Sequence, residues 1–157
     1  PAWGRSDYAG EQALLAKLYF SAESAPLTAL QQWLLDEVGP GQDGSGNADG
    51  DSLIDRFEYA FDLDPQGFDP RQPFWLSTDP NGGYFDFYFR KRVGDPDLQM
   101  EIWLSSDLLS WNKYTGATTL FDADPDGDGT AEVWRLRRSL DLGSEDRLFL
   151  RALPVFE

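Results

Sequence analysis

Apolar spacing along the chain changes character near residue 70. Upstream, the pattern is helical. Ser6 is a plausible N-cap, and Gln12-Ala13-Leu14-Leu15-Ala16-Lys17-Leu18 is rich in helix formers. Pro26 suits a first helical position, and Leu27, Leu30, Leu34 and Val38 recur at intervals of three and four, one apolar stripe. Gly39-Pro40-Gly41 ends that helix. A short helix is expected after Ser52, with Ile54, Phe57 and Phe61 on one face and Asp64-Pro65 as its stop. Phe68 to Pro73 reads as a connector, with the main boundary near Pro70.

From Phe74 onward the period is two. Phe85, Phe87 and Phe89 share a face, as do Leu98, Met100, Ile102 and Leu104. Gly94-Asp95-Pro96-Asp97 between them has hairpin chemistry. Further strands are expected at 118–121, 131–137 and 147–153, and Asp141, Glu145 and Asp146 read as a charged turn. Short strands without interleaved helices imply an antiparallel sandwich or barrel. The expected fold class is α+β: short N-terminal helices and a calcium loop-helix packed on an antiparallel β-sandwich. The expected division is a helical part at 1–46, a loop and exit helix at 47–69, and a β-sandwich module at 70–157.

Composition removes many functions. The 157 residues carry 28 acidic and 13 basic side chains, a formal charge of −15, with no histidine and no cysteine. That excludes disulfides, Cys/His zinc sites, a Ser-His-Asp triad and a cysteine nucleophile. The charge argues against nucleic acid and anionic membrane surfaces as partners. No apolar run reaches the length of a membrane span. Oxygen ligands remain, and they favour hard cations. The start at Pro1 reads as a mature or excised segment.

The stretch Asn47-Ala48-Asp49-Gly50-Asp51-Ser52-Leu53-Ile54-Asp55-Arg56-Phe57-Glu58 is the most informative. An EF-hand loop places oxygens at positions 1, 3, 5, 7, 9 and 12. Those positions hold Asn47, Asp49, Asp51, the Leu53 carbonyl, Asp55 and Glu58, with Ile54 as the apolar anchor. Alternate residues of a tight loop point inward, and the twelfth reaches back from the first helical turn. Position 6, normally a glycine at φ > 0, is Ser52, at an expected cost of ~1 kcal/mol. Asn47 removes one charge from the set.

A second acidic loop runs from Asp122 to Glu132. In one register Asp124, Asp126 and Asp128 take positions 1, 3 and 5, the Thr130 carbonyl takes 7 and Glu132 takes 9, with Asp122 or water completing the set. Position 12 is Arg135, which cannot ligate. Unpaired carboxylates this crowded repel one another without a cation. The first loop carries four acids and one arginine, net −3, and the second five acids, net −5, so the two hold about half of the chain's charge.

Residues 47–65 resemble the thrombospondin type 3-like or dockerin-like calcium segment of large secreted bacterial proteins. Residues 84–92, 106–111, 124–130 and 147–151 resemble the β-rich C-terminal module that often follows it. The resemblance covers about residues 47–153 and implies an extracellular, calcium-stabilised module with Ca2+ at the loop positions named above. The resulting expectation is a non-catalytic structural or assembly module, a surface protein or filament-type subunit, whose partners are proteins, including copies of itself. Two alternatives come with it. One is a carbohydrate-binding module, for which Trp103, opposite Met100, Ile102 and Leu104, is the first candidate. The other is dockerin-like protein docking. Trp111 and Trp134 are expected in the core.

Overall fold

A computed structural model describes residues 26–79, 83–139 and 147–157. The expected helix at 12–18, the Ser6 cap and the charged turn at 141–146 lie outside the described residues.

Helix α1 (Ala29–Trp33) opens on Thr28, not Pro26. The Thr28 hydroxyl accepts from the Gln31 amide, while the Gln31 side chain accepts from the Thr28 amide. This reciprocal cap satisfies two otherwise orphaned donors. The chain continues as a π-helical turn, Leu34–Val38, and stops at Gly39 with φ of 128°. Of the predicted apolar stripe only Leu34 is fully buried, and Leu27 is half exposed. The segment meets the rest of the molecule where Trp33 contacts Tyr59 and the Arg92 guanidinium and where Gln66 Nε2 donates to the Glu37 carbonyl.

Helix α2 (Asp55–Phe61) carries the densest burial in the chain: Asp55, Glu58, Tyr59, Ala60 and Phe61 are all buried. It ends two residues before the Asp-Pro signal because Asp62 adopts the left-handed conformation, φ 57° and ψ 54°. A non-glycine residue in that region is strained. The arginines described below hold it there.

Among the described residues the β part has seven strands in two antiparallel sheets. One has the order β1 (Phe74–Thr78), β2 (Tyr84–Arg92), β6 (Ala131–Ser139), β5 (Thr119–Asp122). The other has β4 (Asn112–Lys113), β3 (Leu98–Ser105), β7 (Phe149–Phe156). The period-two reading matches the facing residues. Phe85, Phe87 and Phe89 of β2, Leu136 of β6, Ile102 of β3 and Ala152 of β7 form one apolar cluster with Phe61 and Leu63 of the α2 segment. Trp134 packs against this cluster, as expected, but Trp111 does not belong to it.

One expectation fails. The turn at residues 94–97 joins β2 and β3, yet these strands do not pair. β2 pairs with β1 and β6, and β3 pairs with β4 and β7. The turn is tight for the expected reason, since Asp95 accepts from the Asp97 amide at 2.9 Å. It nevertheless carries the chain from one sheet to the other. Turn chemistry sets the reversal and leaves the pairing partner open. Asp95 also accepts the Tyr59 hydroxyl at 2.7 Å, which ties α2 to this crossing. Among the described residues no helix is long and apolar enough to cross a membrane.

Candidate metal centre

Two groups of carboxylates converge closely enough to hold a metal ion, and they lie at opposite ends of α2. The first contains Asp49, Asp51 and Glu58, each offering an oxygen within 4.8 Å of the others. Local hydrogen bonds shape the loop. Asn47 Nδ2 donates to the Asp51 carbonyl at 2.7 Å, and the Gly50 amide donates to Asn47 Oδ1 at 2.7 Å. The Asp51 amide donates to Asp49 Oδ1, and the Leu53 amide to Asp51 Oδ1. Each is a short side-chain-to-backbone turn that leaves other carboxylate oxygens free.

Asp55 closes the loop from within. Its Oδ1 accepts the Ala48 amide at 2.9 Å, while its own amide donates to the Gly46 carbonyl at 2.9 Å. Arg56 repeats this one residue on, donating its amide to the Gly44 carbonyl at 3.0 Å. Gly44 sits at φ 76°, and a Cβ there would lie 2.8 Å from Arg56 Cβ, so only glycine fits. Residues 44–46 thus lie against the start of α2, and this contact aims Glu58 at the loop.

Glu58 is 1% exposed, and its Oε2 is buried with no hydrogen-bond partner. Burial first, and then the charges of Asp49, Asp51, Asp55 and Asp64, push its carboxyl up to about 7. Among the described residues, no guanidinium or ammonium is one of the groups that shift it. A buried, unpartnered carboxylate oxygen is costly, and a cation between Glu58, Asp49 and Asp51 would relieve the cost. Three hard oxygen donors suit a hard cation.

Of the predicted first-loop ligands, the structure brings Asp49, Asp51 and Glu58 together. Asn47 and Asp55 bond to the loop backbone, and Leu53 packs against the apolar cluster. Ser52 departs from expectation in a different way. The left-handed residue of this loop is Gly50, with φ 78°, and Ser52 has no positive φ. The strain assigned to Ser52 is absent because the loop bends two residues earlier.

The second group contains Asp126 and Asp128 from the β5–β6 loop and Asp62 from the end of α2. Asp62, which the sequence reading gave no role, belongs here. Asp122 and Asp124 do not join the group. Instead Asp122 Oδ1 accepts the Asp124 amide, and Asp124 Oδ1 accepts the Gly129 amide. Glu132 faces Lys91 across the strands at 3.8 Å. The Thr130 amide donates to Asp128 Oδ1, and its hydroxyl lies 2.7 Å from Asp128 Oδ1 and 2.8 Å from Asp62 Oδ2.

Three arginines supply countercharge, one of them, Arg71, shared with Asp69. Arg90 contacts Asp126 and lies 3.7 Å from Asp62, Arg71 lies 3.3 Å from Asp126 and 3.6 Å from Asp62, and Arg92 lies 2.7 Å from Asp62. Arg90 Nε also donates to the Phe61 carbonyl and Arg92 Nε to the Tyr59 carbonyl, so the last turn of α2 is capped from β2. The Arg90 guanidinium holds the Asp126 carboxyl below the usual carboxylate range. A hydrogen bond from Thr130 does the same for Asp128. Comparison of the chain with family models, with curated proteins and with solved structures finds no match.

Proposed function

We propose that the protein is a non-catalytic, calcium-stabilised module of an extracellular assembly. The single observation that carries the reading is the buried Glu58 Oε2, unpartnered and facing Asp49 and Asp51. A carboxylate in that state favours an ion, and an ion there would fix the start of α2. The residue pattern at 47–65 supports calcium through its resemblance to thrombospondin type 3-like and dockerin-like segments. In this reading the two sheets, which share one apolar cluster, form a sandwich, and the loop-helix segment is the metal-dependent brace at one end.

Location outside the cell follows from this reading, because the weak calcium sites typical of extracellular modules fill only at the calcium concentrations found there. The role in assembly, with other proteins or with copies of the chain, follows from the resemblance. The Asp122–Glu132 loop is a second calcium candidate by sequence, but its three arginines already provide the countercharge that a cation would. We therefore assign one ion per chain.

Calorimetric titration of the chelated protein with Ca2+ tests the assignment. One site, lost in Glu58→Gln and kept in Asp124→Asn, supports it. Heats indistinguishable from dilution would remove calcium from the reading.

A further inference from the structure

On the outer face of the three-stranded sheet, Arg151 of β7 lies within cation–π distance of two indoles. Its guanidinium carbon is 4.2 Å from the Trp111 ring centre and 5.5 Å from that of Trp103. Strand alternation explains the placement. Ile102 and Ala152 face the core, so Trp103 and its cross-strand partner Arg151 face away from it. Lys113 of β4 is the other cross-strand neighbour of Trp103, and Trp111 lies two residues before it on the same side. The Trp103 indole donates to Glu101 Oε2 at 3.0 Å, and Glu101 also accepts Lys113. The Trp111 indole donates to the Leu108 carbonyl at 3.2 Å.

Within this frame Arg151 lacks a countercharge. In a chain of charge −15 it has no carboxylate partner among the described residues, and its Nε is buried without a hydrogen bond. Arg135 of β6 is the other arginine whose Nε is buried without a hydrogen bond among the described residues. Arg71, Arg90, Arg92 and Arg137 all meet aspartates. A guanidinium held within cation–π reach of two indoles is preorganised to meet an anion. Planar carboxylate is the matching group. Two half-buried indoles on a sheet face, with Glu101 and Lys113 between strands, add flat apolar area beside polar groups. That combination suits the C–H faces and hydroxyls of a pyranose.

We propose that this face binds a uronate-bearing polysaccharide, with the Arg151 guanidinium on the sugar carboxylate and Trp103 and Trp111 against the rings. The site is separate from the metal centre and does not require it.

Calorimetry with a galacturonate hexamer, and with the same hexamer methyl-esterified, tests this at 0.15 M salt with calcium present. The acid form should bind, and the ester should bind at least about tenfold more weakly, as expected for the loss of a charged hydrogen bond. Arg151→Met keeps a long side chain over the indoles and should lose binding while the melting temperature stays within a few degrees. Trp103→Ala should also lose it. Glu58→Gln should bind the hexamer as the parent does, which separates this site from the calcium reading. Equal affinity for acid and ester, unchanged binding by Arg151→Met, dependence on Glu58, or equal affinity for a glutamate hexapeptide would each overturn the assignment, the last by showing a surface that reads carboxylates and not sugars.

Discussion

The two acidic groups look alike as sequence, since both are runs of aspartate alternating with glycine and small residues. In the folded chain their electrostatics are opposite. At the first, four carboxylates act on Glu58, and every charge that shifts it is negative. At the second, Arg71, Arg90 and Arg92 surround Asp62 and Asp126. One group is left short of positive charge by the fold, while the other is neutralised by it. An acidic run therefore indicates a metal only after its neighbours in space are known. The neighbours that decide the Asp126 end of the second group, Arg71 of a connector and Arg90 of a strand, lie 55 and 36 residues from it in sequence.

The largest expected effect is a break in the second group. Arg90 is 4% exposed and holds Asp126, lies near Asp62 and caps the Phe61 carbonyl. Arg90→Met leaves the buried Asp62 with fewer partners and the left-handed turn less supported. It should destabilise the protein by about 3–5 kcal/mol, read by urea denaturation, with the same loss in calcium and in chelator. A loss seen only in calcium would mean that the second group holds the ion.

Chelation comes next, and it acts on the first group alone. At Ca2+ a hundredfold above Kd the ion contributes roughly 2.7 kcal/mol, equivalent to about 5–10 °C in Tm for a chain of this size. Glu58→Gln should abolish that shift. In chelator at pH 8 the same variant should melt higher than the parent, because it removes a buried charge that nothing offsets. A lower melt in chelator would mean that Glu58 has a partner and that the metal argument fails.

The pH dependence follows from the same side chain. Glu58 in the folded chain titrates near 7, above the ordinary 4.5. Between those values the folded state holds a proton that the unfolded state has released. In chelator its contribution to stability is therefore complete below pH 4.5 and is lost as pH rises through 7. With Ca2+ the slope reverses, because the ion competes with the proton for the carboxylate. Tm measured from pH 5 to pH 8 should fall in EGTA, and Glu58→Gln should flatten the fall.

Much of this was legible from periodicity. The core faces of β2 and β3, the short helix after residue 52 and the convergence of Asp49, Asp51 and Glu58 all follow from spacing within a dozen residues. What was not legible depends on contacts remote in sequence. Nothing near the turn at 94–97 says that β2 pairs with β6 and not with β3. Nothing near Asp62 says that a left-handed aspartate will be held by arginines from β2 and from the segment before β1. Its place just after the Ser106-Asp107-Leu108-Leu109-Ser110 turn puts Trp111 in the core by sequence. Its actual partner, Arg151, is 40 residues downstream.

The smallest effect sharpens the reading of the first loop itself. By analogy with EF-hand loops, Ser52→Gly should relieve strain at position 6 and raise stability. In the structure Ser52 has no positive φ, while Gly50 has φ of 78°. Glycine at 52 would then add freedom to the unfolded chain without relieving anything in the folded one, a loss of about 0.5–1 kcal/mol. Gly50→Ala should cost about 1 kcal/mol for the opposite reason, because alanine resists the left-handed conformation. Nothing lies within 4 Å of a Cβ at Gly50, so that cost is purely conformational. If Ser52→Gly stabilised the protein and Gly50→Ala were neutral, the bend would lie where the EF-hand analogy puts it. The turn at the metal site would then be assembled two residues later in the chain.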